Sequence, residues 1–219
     1  MIPSVDIMSR IVKPPEIRQE EILTAAKGLF ASQGVRATTI QDLARHVGVT
    51  RGLIYHYVGS IESLITQVLD SYVDEFTADV RAWDANRKPG DIDTAVMECI
   101  ALFRRYVPTR GDRDAHTDPP LPRIEDAALY LSFLDRAVKS LVDVLDETTI
   151  PAYAAKHPIE ITNVRETFTV LIHGLIALVR SEPELTDDVL ATLVRQSLRL
   201  APTTPDPHVA GQFITLKGE

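Results

Sequence analysis

The chain has 219 residues, of which 45% are hydrophobic and 25% charged. That is the balance of a folded protein able to bury one or two cores, and it excludes a disordered tail. A single cysteine, Cys99, excludes an intramolecular disulfide framework and a cysteine-cage zinc site, and the formal charge of -8, taken alone, argues against a nucleic-acid partner, because phosphate binding draws on Lys and Arg.

The charge is not evenly spread. Residues 1–60 hold seven Lys/Arg against five Asp/Glu, which leaves sixteen against twenty-six for the rest of the chain. An acidic body repels DNA everywhere except at a mildly basic N-terminal head, so a DNA reading is open for one end only. No stretch approaches the run of apolar residues that a membrane helix needs, and the opening MIPSVDIMSRIVKPPE lacks the apolar centre of a signal peptide, so the expectation is a cytoplasmic protein without a membrane partner.

In chain order the apolar spacing is helical almost throughout. Pro14-Pro15 precede a helix over Glu16–Ser32 with Ile17, Ile22, Ala25, Ala26, Leu29 and Phe30 as its buried stripe, and Gly34 follows as a stop. Thr39 caps a short helix with Leu43, Ala44 and Val47 facing inward; Gly48 makes the turn, and Thr50 caps a second short helix reaching Tyr57, with Ile54 in the core. Three-and-four spacing then runs from Ser60 to Trp83 and from Ile92 to Val107. The stretch PTRGDRDAHTDPPLPR reads as a loop. Helical spacing resumes over Ile124–Thr148, and PAYAAKHP reads as a break. The segment FTVLIHGLIALV, Phe168–Val179, is apolar on nearly every face and requires burial on at least two sides, and Leu185–Leu200 is amphipathic. A Pro-rich tail ends in a weakly strand-like QFITL.

Two short helices joined by Gly48-Val49 form the spacing of a helix-turn-helix, which lays its second helix in the major groove of DNA. The surrounding residues are more specific. Ile22-Leu23, Ala25-Ala26, Leu29-Phe30, Gly34, Thr38-Thr39, Leu43-Ala44, Gly48-Val49, Gly52, Tyr55 and Tyr57 stand in the order and spacing of one family's N-terminal domain. Over Ile17–Leu64 the chain thus resembles the TetR (tetracycline repressor-like) family of bacterial transcription regulators.

The resemblance implies an all-α protein of about nine helices: an arm and three-helix DNA-binding domain over 1–60, a helical ligand-binding and dimerisation domain over 61–200, and an extended tail over 201–219. It implies a homodimer through the last two helices, about 161–200, with a double-stranded DNA operator and a small-molecule effector as partners. The expected DNA-binding residues are Thr39, Gln41, Thr50, Arg51, Gly52, Leu53, Tyr55 and Tyr57. Arg51 suits a bidentate contact to guanine and Leu53 a thymine methyl, whereas the hydroxyls of Thr39, Tyr55 and Tyr57 suit phosphates; packing is the alternative role for Tyr55. Gly52 lets the helix backbone approach DNA, and His46 and His56 are expected to be solvated. Where the family usually has a phosphate-binding Lys, this chain has Ile61, which implies weaker electrostatic anchoring. The long helix after Ser60 joins the two domains, so a shift in the body can change the spacing of paired recognition helices.

Candidate ligand-binding residues in the body are Phe76, Trp83, Phe103, Tyr106, Tyr130, Phe133, Phe168 and His173; ordinary core packing is the alternative for each. They suggest a mainly hydrophobic effector. His116, Asp118, His157 and His173 lack a metal-ligand spacing. Neither a nucleophile motif nor a phosphate-cradling glycine loop is present, so the expectation is a regulator that needs neither metal nor cofactor, rather than an enzyme. A regulator without a small-molecule effector, and a helical carrier or enzyme, are the competing readings.

Overall fold

The computed structural model describes residues 14–88, 90–107, 121–182 and 184–200. These form nine α-helices and no strand: α1 (Pro15–Ser32), α2 (Ile40–Val47), α3 (Arg51–Val58), α4 (Ile61–Asn86), α5 (Ile92–Tyr106), α6 (Ala127–Glu147), α7 (Thr149–Ala154), α8 (Val164–Ser181) and α9 (Asp187–Leu198). The all-α class is as expected. The N-terminal arm up to residue 13, most of the expected loop (108–120) and the tail with its strand-like QFITL lie outside the described residues.

Packing divides the described chain into two compact units. The head comprises residues 14–72 and 121–130, and the body comprises 73–107 and 131–200. The expected domain boundary, 60/61, falls at the start of α4, whereas the first three turns of α4 are grouped with the head. Leu64, Val68 and Leu69 are fully buried there, like Ile22, Ala26, Phe30, Leu43 and Ile54. The ammonium of Lys27 on α1 lies 5.0 Å from the centre of the Tyr72 ring on α4.

The head holds a segment distant in sequence. Arg123 donates its amide to the Phe30 carbonyl (3.0 Å) and its carbonyl accepts the Val35 amide (2.9 Å). Its guanidinium donates to the Ser32 carbonyl (3.0 Å), and the Glu125 carboxylate accepts the Arg36 amide (3.2 Å). These bonds satisfy backbone groups that the end of α1 leaves without helical partners.

Two local expectations are corrected. Ile17 is 48% exposed, because it stands in the first turn of α1, ahead of the stripe that begins at Ile22. PAYAAKHP does not simply break the chain: α7 covers Thr149–Ala154. Pro151 sits in its first turn, where a missing N–H removes no intrahelical bond.

The body core has two clusters. Val80, Val138, Val142, Leu145, Ile172 and Ile176 join the second half of α4 to α6 and α8. Val96, Ile100, Leu175, Val179, Leu190 and Ala191 join α5, α8 and α9. Helix α8 supplies side chains to both, which accounts for its apolar character on two sides. A third side remains bare, with Val170 73% exposed and Leu178 also exposed, as is Val189 on α9.

Candidate nucleic-acid interface and body cavities

The helix-turn-helix is fixed by its caps. The Thr39 hydroxyl accepts the Asp42 amide (3.2 Å) and donates to the Asp42 carboxylate (2.6 Å), which also accepts the Thr39 amide (3.2 Å). This is a capping box, with the acid at the third helical position. The Thr39 hydroxyl bond, chiefly, holds the Asp42 carboxyl below the usual carboxylate range, with the Thr39 amide and the charge of Arg45 adding to it. Gly48 ends α2 in the left-handed region, at φ 73°, where a side chain is strained. Its amide and that of Val49 both reach the Ala44 carbonyl. Thr50 then caps α3 by accepting the Leu53 amide (3.3 Å).

Helix α3 has two opposed sides. Ile54 and Val58, four residues apart, are buried, whereas Arg51, Gly52, Tyr55 and His56 are exposed and Leu53 and Tyr57 half-buried. Tyr55 is 51% exposed. The His56 ring stands edge-on to Tyr57 at 5.3 Å. Arg51 has no hydrogen-bond or ion-pair partner among the described residues. A Cβ added to Gly52 would meet nothing within 4 Å, so packing inside the chain does not require glycine there. Gln41 and Thr39 are exposed at the start of α2. Most of the eight expected DNA-binding residues therefore lie at the surface of α2 and α3, although the hydroxyls of Thr39 and Thr50 already serve as caps.

Ile61 begins α4. The Ser60 hydroxyl accepts the Ser63 amide (3.1 Å), and the Glu62 carboxyl is held below its usual range by its own backbone amide and by the Ser60 hydroxyl. The positive end of α4 is thus answered from within the chain.

The body contains a cavity of about 290 Å³, lined mainly by apolar side chains of α4, α5, α7, α8 and α9, and a smaller one of about 90 Å³ between α4, α5, α6, α8 and α9. Trp83 lines the larger, Phe76 and Phe103 the smaller, and Phe168 both. Tyr106, Tyr130, Phe133 and His173 line neither. Tyr106 donates its hydroxyl to Asp79 (2.7 Å), and desolvation, with that carboxylate, pushes its phenol well above the usual range. Tyr130 belongs to the head. His173 bridges the Thr169 carbonyl (2.9 Å) and Asp135 (3.4 Å) through its two ring nitrogens. Cys99 lines both cavities, and desolvation pushes its thiol up to about 11, so it is a neutral wall group near pH 7.

The larger cavity also carries polar groups that aromatic periodicity does not point to. Asp84 accepts from Arg87 (2.8 Å) and from the Thr149 hydroxyl (2.7 Å). Lys156 and Asp91 also line it. In the sequence, Arg87 reads as a helix end and Lys156 as part of a break; the spacing of Asp84 and Arg87, three apart on one helix face, is the signal that pairs them.

The geometry defines a helix-turn-helix head and a helical body. Over residues 22–68 the chain matches the family described as bacterial regulatory proteins, tetR family. It is 40% identical over 58 residues to the transcriptional repressor KstR2 of Rhodococcus jostii, covering 26% of this chain and 28% of that protein. The chain thus spans less than a third of the length of that relative in the match. A longer match, 25% identical over 195 residues, covers 89% of the chain and 85% of the transcriptional regulator BetI of Rhizobium meliloti. The crystal structure of a TetR/AcrR-family regulator from Thermobifida fusca shares the fold, with a TM-score of 0.55 and 21% identity over 83% of this chain and 97% of that one. Among the described residues no helix is long and apolar enough to cross a membrane.

Proposed function

We propose that the chain is a ligand-responsive transcriptional repressor that binds a palindromic operator as a homodimer and leaves it on binding a small, mainly hydrophobic effector. The observation that carries this reading is the outer side of α3: an unpaired Arg51 guanidinium beside Gly52, whose missing side chain leaves open space. A free guanidinium suits a guanine edge, and a bare backbone admits close approach of DNA. The repressor name of the relative from Rhodococcus jostii supports the sign of regulation. The exposed Val170, Leu178 and Val189 favour the last two helices as the surface that a second copy covers, since large apolar groups gathered on two helices are costly to leave in water. Such a protein works in the cytoplasm, where its operator is.

The effector-free alternative fits a collapsed body, and the 290 Å³ cavity favours the ligand-responsive reading. In a gel shift with operator DNA, the double variant Arg51→Ala/Tyr57→Ala is expected to lose retention; unchanged retention overturns the assignment of α3. An effector must raise the melting temperature and weaken operator binding through one coupling free energy. A mass measurement in solution that gives only monomer at operator-binding concentrations overturns the dimer.

A further inference from the structure

The larger cavity is apolar along most of its wall, but its polar groups are unevenly spent. Both carboxylates there already accept hydrogen bonds, each on one oxygen. Asp84 takes the Arg87 Nε–H and the Thr149 hydroxyl on one oxygen, and Asp91 caps α5 by accepting the Thr94 amide (3.1 Å). Backbone and side-chain bonds to Thr94, then the charge of Lys88, hold the Asp91 carboxyl below its usual range. The donors are not used up in the same way. Arg87 is largely buried, only 13% exposed at its side chain, and beyond Nε its guanidinium faces the Trp83 ring, at 5.7 Å from the ring centre, with its Nη groups making no further hydrogen bond among the described residues. Lys156 follows α7 and has no carboxylate partner among the described residues. Its Nζ would lie 3.6 Å from a Cβ on Gly90, which sets the ammonium against the turn between α4 and α5 that also follows Arg87.

From this imbalance we infer that the larger cavity binds an amphipathic monocarboxylate, with its carboxylate at the Arg87–Lys156 end and its apolar portion along the wall that includes Ile100, Phe168 and Val194. The inference deepens, and rests on, the effector reading above. A carboxylate supplies only acceptors, which is what unspent guanidinium and ammonium donors require. A neutral alcohol would offer the ammonium no charge-assisted bond, and an amine would meet the Lys156 ammonium with the Asp84 carboxylate already paired to Arg87. The volume is at the lower end of small-molecule sites, which suits one short aliphatic chain or one ring.

The test is calorimetric titration of the full chain near neutral pH with decanoate, 1-decanol and decylamine. Decanoate is expected to bind saturably and about tenfold or more tightly than decanol, as a charge-assisted bond predicts. Lys156→Met, at an exposed position where folding is expected to be unaffected, is expected to remove that preference and Lys156→Arg to keep it. Equal affinity for decanoate and decanol, a preference for the amine, or an unchanged preference in Lys156→Met overturns the site. So does failure of decanoate, hexanoate and 4-phenylbutanoate all to bind. A parallel gel shift separates the two readings. Selective decanoate binding with no loss of operator binding keeps the carboxylate site and overturns its role as effector site; release of operator by decanol alone does the reverse.

Discussion

The head and the body solve different problems with the same secondary structure. In the head the short helices α2 and α3 are held in place by named caps, a capping box at Thr39, a left-handed glycine at Gly48 and a hydroxyl cap at Thr50. In the body, longer helices are held by two apolar clusters and by cross-helix ion pairs, such as Arg104 with Asp187 (2.8 Å) and Arg195 with Asp93. The head fixes backbone directions to present a few side chains outward. The body needs volume and polarity around its cavities, which many sequences provide. A reader of sequence therefore sees specific residues in the head and only a pattern in the body.

The largest expected effect tests whether the head depends on packing as well as caps. Phe30 is fully buried, and Phe30→Ala is expected to destabilise by about 3–5 kcal/mol, read as a lower denaturation midpoint. Truncating the equally buried Leu190 in the body is expected to cost about 2–5 kcal/mol. Near-zero loss at Phe30 would mean that the caps alone hold the head, and the contrast between the regions would sharpen.

Backbone geometry comes next. At Gly48, with φ 73° and nothing within 4 Å of an added Cβ, Gly48→Ala meets no clash and isolates the conformational term, expected at about 1–2 kcal/mol. Thr39→Ala removes the capping box and is expected to cost about 1 kcal/mol.

That box also makes a pH prediction. The folded carboxyl of Asp42 lies below its ordinary value, chiefly through the Thr39 hydroxyl, so its stabilisation is present above the ordinary carboxylate range and is lost as pH falls through the lowered folded value. In the body, Asp143 behaves alike, held down by Lys139 and then Arg165. Asp42→Asn and Asp143→Asn are each expected to reduce stability near neutral pH and to flatten the acid limb below about pH 4. Acid unfolding profiles of the two variants give the share of each region; an unchanged limb in Asp42→Asn would remove the electrostatic side of the cap.

Legibility follows the same division. The Thr39, Gly48 and Thr50 signals place the starts of α2 and α3, because each cap residue has a chemical reason at one position, while α3 runs one residue past the expected Tyr57, to Val58. The apolar run in α8 is legible as burial on more than one side, since no single-faced helix needs it. Ile17 misleads because periodicity cannot show where a helix extends past its neighbours. The break at PAYAAKHP misleads because Pro151 is compatible with a first helical turn. Thr149 meets Asp84, and Lys156 reaches the same cavity, only through the packing of helices distant in sequence, and no local period records that.

The smallest effect is also the one that separates stability from recognition. Glycine inside a helix costs up to about 1 kcal/mol relative to alanine, and Gly52 lies in α3, exposed, with open space where a Cβ would go. If folding alone had set this position, alanine would serve better. Gly52→Ala is therefore expected to raise stability by about 0.5–1 kcal/mol and, if DNA approaches the α3 backbone there as proposed, to weaken operator binding, because the added methyl would occupy that space. Denaturation and gel shift on the same preparation read both quantities. Higher stability with undiminished DNA affinity would show that the open space beside Arg51 is not where DNA approaches, and the outer side of α3 would have to be divided between a base-reading Arg51 and a neighbour that touches nothing.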